Sequence, residues 1–183
     1  MRTWLIPRTW RAIGQLGVNP LDRSGARSIE AGNQFFVLAS LACLPWVFVI
    51  FVADPPLTIA PALTQVALCA VWLVCLDLNR RRFYTAAAVV ALLAPVVQFT
   101  YLTVMFSMRS GFQLSLLVVG ALAFVILAPR RWMLAVLVTA VATGAVAWTY
   151  LGYTVREPVA QVTENWMQIS ALGNIVMVVV NVS

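Results

Sequence analysis

RRRFYTAAAVVALLAPVVQFTYLTVMF, running from Arg80 to Phe106, is the stretch on which the reading of the fold turns. Three consecutive arginines precede 24 residues without a charge, and Phe83 and Tyr84 sit at the junction. About 20 apolar residues in a helix cross the hydrocarbon core of a bilayer. Arginine clusters hold the cytoplasmic side of such a span, and aromatic rings favour the headgroup level. Phe83–Phe106 therefore reads as a transmembrane helix whose start faces the cytoplasm.

Working outward, five more stretches have the same character: Phe35–Val52, Leu57–Leu76, Phe112–Ala128, Trp132–Leu151 and Trp166–Val182. The links between spans are short, which suits antiparallel neighbours, and Gly152–Asn165 is the longest and most polar. Of 183 residues, 62% are apolar and 10% are charged. Soluble domains lie nearer half apolar and a quarter charged. The fold class expected is all-α, a polytopic bundle of six transmembrane helices.

The chain carries 12 cations and 6 acids, giving a net charge of +6. All the cations are arginines. Arg2, Arg8, Arg11, Arg23 and Arg27 precede the first span, Arg80, Arg81 and Arg82 follow the second, and Arg130 and Arg131 follow the fourth. In a six-span arrangement these fall on one side, and only Arg109 and Arg156 fall on the other. The positive-inside rule then puts both termini in the cytoplasm. Clustering between apolar spans makes the arginines topology determinants, so no nucleic-acid partner is expected. The lipid bilayer is the first partner.

Residues 1–34 form a cytoplasmic N-terminal segment, and residues 35–183 form the transmembrane domain. Trp4, Leu5, Ile6, Trp10, Ile13 and Leu16 alternate with Arg8 and Arg11, which suits a short amphipathic helix on the inner membrane surface. Asn19-Pro20 is a helix-start signal, with an N-cap residue before proline at the first helical position. That juxtamembrane helix is expected to run through Arg27 and Glu30 into the first span, which stays as an anchor because no cleavable signal peptide precedes it. Pro45 and Pro95 are expected to kink their spans. Ala87-x-x-x-Ala91 and Ala140-x-x-x-Gly144 are expected at close helix contacts.

Histidine is absent, which removes a Ser-His-Asp triad and any histidine metal or haem site. Cys43, Cys69 and Cys75 lie in apolar segments without a CxxC and read as core residues. Asp77 with Arg80 and Arg81 at i+3 and i+4 reads as an interfacial ion pair. No catalytic residue, metal site or cofactor is expected, and the chain is not read as an enzyme by itself. Polar uncharged residues within spans need partners and should face the bundle interior. By depth, Gln98, Gln113 and Gln168 fall in the outer half, flanked by Tyr101, Arg109 and Glu164. They form either an outward-facing ligand pocket or interhelical hydrogen bonds.

Two stretches carry a resemblance. Gly17-Val-Asn-Pro20, Arg27-Ser-Ile-Glu30 and Asn33-Gln-Phe35 lead into a span containing Leu44-Pro45, and Ser110-Gly-Phe-Gln113 leads through a span to Pro129-Arg-Arg-Trp132. This order resembles the six-helix N-terminal membrane domain of bacterial class III adenylyl cyclases, with related modules before diguanylate cyclase and histidine kinase domains. The resemblance implies an anchor and sensor that forms a homodimer and regulates a cytoplasmic cyclase or kinase output domain, in cis or in trans. It implies a sensing face at the outer ends of spans three, four and six, with Gln113 foremost. The sequence ends at Ser183 with no counterpart of the cyclase metal-binding aspartates, so a truncated or free-standing sensor is expected. A competing reading is a small-molecule transporter component with a solute-binding six-helix bundle, which a mid-membrane pocket would favour. An intramembrane enzyme fits least, for want of histidine and paired buried acids.

Overall fold

Residues 5–18, 23–53, 55–106 and 110–153 are described by the structure, a computed structural model. They form six α-helices and no strand: α1 (Leu5–Gly14), α2 (Arg23–Ala53), α3 (Pro55–Arg80), α4 (Tyr84–Phe106), α5 (Phe112–Ile126) and α6 (Ala128–Tyr153). Four stretches are long and apolar enough to cross a membrane: Gly25–Phe51, Ile59–Arg80, Tyr84–Phe106 and Arg131–Gly152. Phe112–Ile126 is a shorter apolar helix. The chain is thus a helical membrane protein. Trp166–Val182, the sixth stretch, lies outside the described residues.

The helices are helical because hydrocarbon offers no partner for a bare N–H or C=O, and an α-helix satisfies both within its own length. They pack in sequence order, with α2 on α3, α3 on α4, α4 on both α5 and α6, and α5 on α6. Large apolar side chains turn outward along the length, among them Leu38, Phe48, Leu63, Leu73, Val97, Leu117 and Leu137. That surface would be untenable in water and is solvated by acyl chains in a bilayer.

Small residues set the interior. Ala87 and Ala91 on α4 are fully buried, and Trp72 of α3 lies against them with Phe36 of α2. The Trp72 indole N–H donates to the Ala91 carbonyl at 3.2 Å, which a larger side chain on that face would block. The second small-residue pair behaves otherwise. Ala140 and Gly144 lie on an exposed face of α6, while Ala135, Val138 and Ala142 face inward. The periodicity of α6 brings its other small residues to the core, so the Ala140–Gly144 face meets no helix among the described residues.

Helices α2, α3 and α4 pass through Pro45, Pro61 and Pro95 without interruption. The non-helical backbone lies elsewhere, at Arg131 in the first turns of α6 (φ −146°, ψ 60°). The helix foreseen through Arg27 and Glu30 is the first part of α2, and the 34/35 boundary falls inside it without a break.

The described arginine side chains gather at one end. Arg80, Arg81 and Arg82 are exposed at the α3–α4 turn, Arg131 at the start of α6, Arg27 on α2, and Arg8 and Arg11 on α1. These elements are tied together: the Ser28 hydroxyl donates to the Ile126 carbonyl at 2.6 Å, joining α2 to the end of α5. Asp77 pairs with Arg81 at 2.7 Å across one helical turn of α3. At the opposite end, Ile50, Ala62, Leu102, Phe106 and Phe112 form an apolar cluster. Trp46 meets Phe112 edge-on there, with ring centroids 5.8 Å apart.

The α3–α4 turn closes by two crossed backbone bonds. Phe83 N–H donates to the Leu78 carbonyl and Arg82 N–H to the Asn79 carbonyl, both at 2.9 Å. This is a Schellman closure, and its left-handed position holds Arg82 at φ 67°. A left-handed backbone costs a non-glycine residue roughly 1–2 kcal/mol. Arg82→Gly is therefore expected to raise the thermal midpoint of the detergent-solubilised chain. Gly17→Ala should lower it, because Gly17 has φ 72° and a Cβ there would collide with the Asn79 carbonyl. Tryptophan fluorescence during heating checks both signs.

Candidate functional site

Of the residues singled out for an outer pocket, Gln98 is spent on its neighbours. Its amide N–H groups donate to Thr64 Oγ1 at 2.9 Å and to Gln65 Oε1 at 3.1 Å, bridging α4 to α3. Gln65 is itself buried, and Thr64 donates on to the Pro61 carbonyl at 2.7 Å. This is the interhelical alternative foreseen for such residues, and it fastens α3 to α4 within the span. Tyr101 is half-buried and packs against the apolar cluster at the end away from the arginines. Gln113 is half-buried in the first turn of α5, next to Phe112 of the same cluster. Arg109, Glu164 and Gln168 lie outside the described residues.

The densest polar arrangement lies at the arginine-bearing end. Asn33 on α2 is completely buried. Its Nδ2 donates to the carbonyls of Gly14 at 3.0 Å and Leu16 at 2.9 Å. Those are the last carbonyls of α1 and of the turn after it, which have no helical partner of their own. Asn33 Oδ1 accepts from Asn79 Nδ2 of α3 at 2.8 Å. The Tyr84 hydroxyl, from the first residue of α4, donates to the Gly17 carbonyl. One turn, residues 14–18, is thus held by side chains of α2 and α4, and Asn79 of α3 braces Asn33.

Each part follows from local chemistry. Gly17 takes the left-handed backbone that ends the turn, and the missing Cβ lets it lie against the Asn79 carbonyl. Asparagine is the residue type that offers two donors and an acceptor on one short, uncharged side chain. A buried amide left unpaired would cost about 1–3 kcal/mol for each orphaned group. Satisfying all of them at once requires α1, α2 and α3 to keep one mutual position. On α1, Trp10 and Ile13 are half-buried whereas Arg8 and Arg11 are exposed, so the helix lies with its apolar side against the bundle.

Chemically, this arrangement holds position rather than making or breaking bonds. Cys43, Cys69 and Cys75 are free and buried within the helices. Among the described residues no three histidine, cysteine, aspartate or glutamate side chains gather as a metal site. Asn33, Asn79, Gly17 and Tyr84 were not singled out as a site by pattern reasoning. Asn33 and Gly17 stand in the stretches that carry the resemblance, and that was the only signal available. Asn79 precedes three arginines and reads, from sequence alone, as part of a polar link. In comparison with known proteins, no family model, no curated protein and no solved structure matches the chain.

Proposed function

We propose that the chain is a membrane anchor and sensor module that regulates a cytoplasmic signalling output by repacking of its transmembrane helices. The observation that carries this reading is the clamp on residues 14–18. The segment ahead of the first span is joined to α2 by Asn33 and to α4 by Tyr84, and Asn79 of α3 holds Asn33 in place. A shift among those three helices must therefore move α1 or break buried hydrogen bonds. Packed helix interfaces respond in steps rather than continuously, which suits a two-state element. In this reading the described helices supply five crossings and Trp166–Val182 supplies the sixth. Both termini are cytoplasmic in a bacterial inner membrane, and two copies pair. The output is cyclic-nucleotide synthesis by a cyclase domain, or a kinase, by the resemblance noted for the sequence.

The Gln98–Gln65–Thr64 bridge weighs in the same direction, since its amide groups are turned on one another rather than toward a solute. An adenylyl cyclase catalytic domain joined after Ser183 provides the test. Tyr84→Phe removes one hydroxyl from the clamp and Asn33→Leu removes its centre. At equal amounts in the membrane, cyclic AMP output is expected to change by at least about fivefold for Asn33→Leu, the low end of usual inter-site coupling. Tyr84→Phe should change it less, in the same direction. Output that is unmoved by both variants while the thermal midpoint falls would leave the clamp a purely structural device and defeat the proposal.

A further inference from the structure

Beside the clamp lies a small cavity of about 30 Å³ between α2, the start of α4 and the α5–α6 junction. Gly32, Asn79, Tyr84, Thr85, Leu127 and Arg131 are among the residues that line it. One of its lining residues, Asn79, carries an unanswered acceptor. Asn79 is 4% exposed, and its Oδ1 has no hydrogen-bond partner. The orientation is forced. Asn33 must point its Nδ2 at two carbonyls, so it offers Oδ1 to Asn79, and Asn79 must answer with Nδ2. Its oxygen is left over. Two hydroxyls in the same wall are already committed as donors, Ser28 to Ile126 and Tyr84 to Gly17.

The mouth of the cavity has the opposite character. Arg131 and Thr85 line it and are exposed. The first turn of α4 begins at Tyr84, and its leading N–H groups have no carbonyl within the helix. A helix N-terminus and a guanidinium together favour a phosphate. The backbone at Arg131 is non-helical, and the residue lines the cavity at the α5–α6 junction. A ligand that satisfies both parts has a phosphate at the mouth and a hydrogen-bond donor on a short carbon chain further in. The cavity admits a hydroxymethyl group and is too small for a phosphate.

We propose that this cavity is the headgroup site of an anionic phospholipid whose phosphate ester bears a hydroxyl, of the phosphatidylglycerol type. The phosphate meets Arg131 and the first turn of α4, and a headgroup hydroxyl donates to Asn79 Oδ1. A lipid is favoured over a soluble phosphate ester by place. The cavity sits at the arginine-bearing end of apolar helices, where basic pockets between spans meet headgroups. The inference needs only the membrane-spanning fold and stands apart from the sensor reading.

The full chain in lipid nanodiscs provides the test, read by native mass spectrometry of retained lipid and by the thermal midpoint. Three bilayers are compared: phosphatidylcholine alone, phosphatidylcholine with phosphatidylglycerol, and phosphatidylcholine with phosphatidylmethanol, which has the same charge but no headgroup hydroxyl. Phosphatidylglycerol is expected to be retained about five- to tenfold over phosphatidylmethanol, the worth of one hydrogen bond to a buried acceptor. Arg131→Gln, at an exposed position, should bring phosphatidylglycerol down to the level of phosphatidylcholine. Asn79→Leu should make the two anionic lipids equivalent. Because that variant also disturbs the clamp, the lipid comparison in the unaltered chain decides the matter if it fails to fold. Equal retention of the two anionic lipids would overturn the site, as would a preference that Arg131→Gln leaves intact. Stabilisation by glycerol 3-phosphate in phosphatidylcholine nanodiscs, equal to that by phosphatidylglycerol, would overturn the lipid assignment.

Discussion

Asn33 has its whole side chain removed from solvent, and every polar atom of that amide is engaged. Two carbonyls at the end of α1 hold its nitrogen, and Asn79 holds its oxygen. In a medium of low dielectric such a network is worth most when complete and costs most when one member is missing. The turn over residues 14–18 therefore has one acceptable position relative to α2 and α3. Tyr84 extends the same constraint to α4. The N-terminal segment becomes part of the bundle, although its sequence is that of a surface helix.

The rest of the bundle is built on a different economy. Apolar side chains cover the outside as well as the inside, so burial of apolar area does not drive helix to helix in a membrane. Close approach does. Ala87 and Ala91 let Trp72 reach a backbone carbonyl, and Gly120 allows Thr139 to donate to its carbonyl at 3.0 Å, joining α5 to α6. Gln98 fastens α3 to α4 by its amide. Each of these is a polar group that would otherwise stand unsatisfied in hydrocarbon, and together they fix which face of each helix turns inward.

The two ends of the molecule differ accordingly. The end away from the arginines is closed by aromatic packing among Trp46, Phe106 and Phe112. The arginine-bearing end is polar and jointed by turns, and it holds the Asn79 amide oxygen, which has no hydrogen-bond partner among the described residues. The proposed sensing by helix repacking and the proposed selection of a lipid would both draw on that asymmetry.

The membrane-spanning character was legible in the sequence because it depends on composition over about 20 residues, a quantity local to each helix. The bounds of α4, within one residue, were legible for the same reason, and the gathering of the described arginines at one end follows from their place between spans. The Asp77 pair with Arg81 follows from helical spacing alone. The clamp was not legible. Asn33 and Asn79 are 46 residues apart, and nothing in either neighbourhood announces the other. Nor was the fate of the small residues, since Ala87–Ala91 and Ala140–Gly144 have the same spacing but, among the described residues, only the first meets a neighbouring helix. Spacing specifies a face. Which face finds a partner, and which polar atom is left without one, is decided only when the helices are assembled, because hydrogen-bond satisfaction is a property of the whole packing.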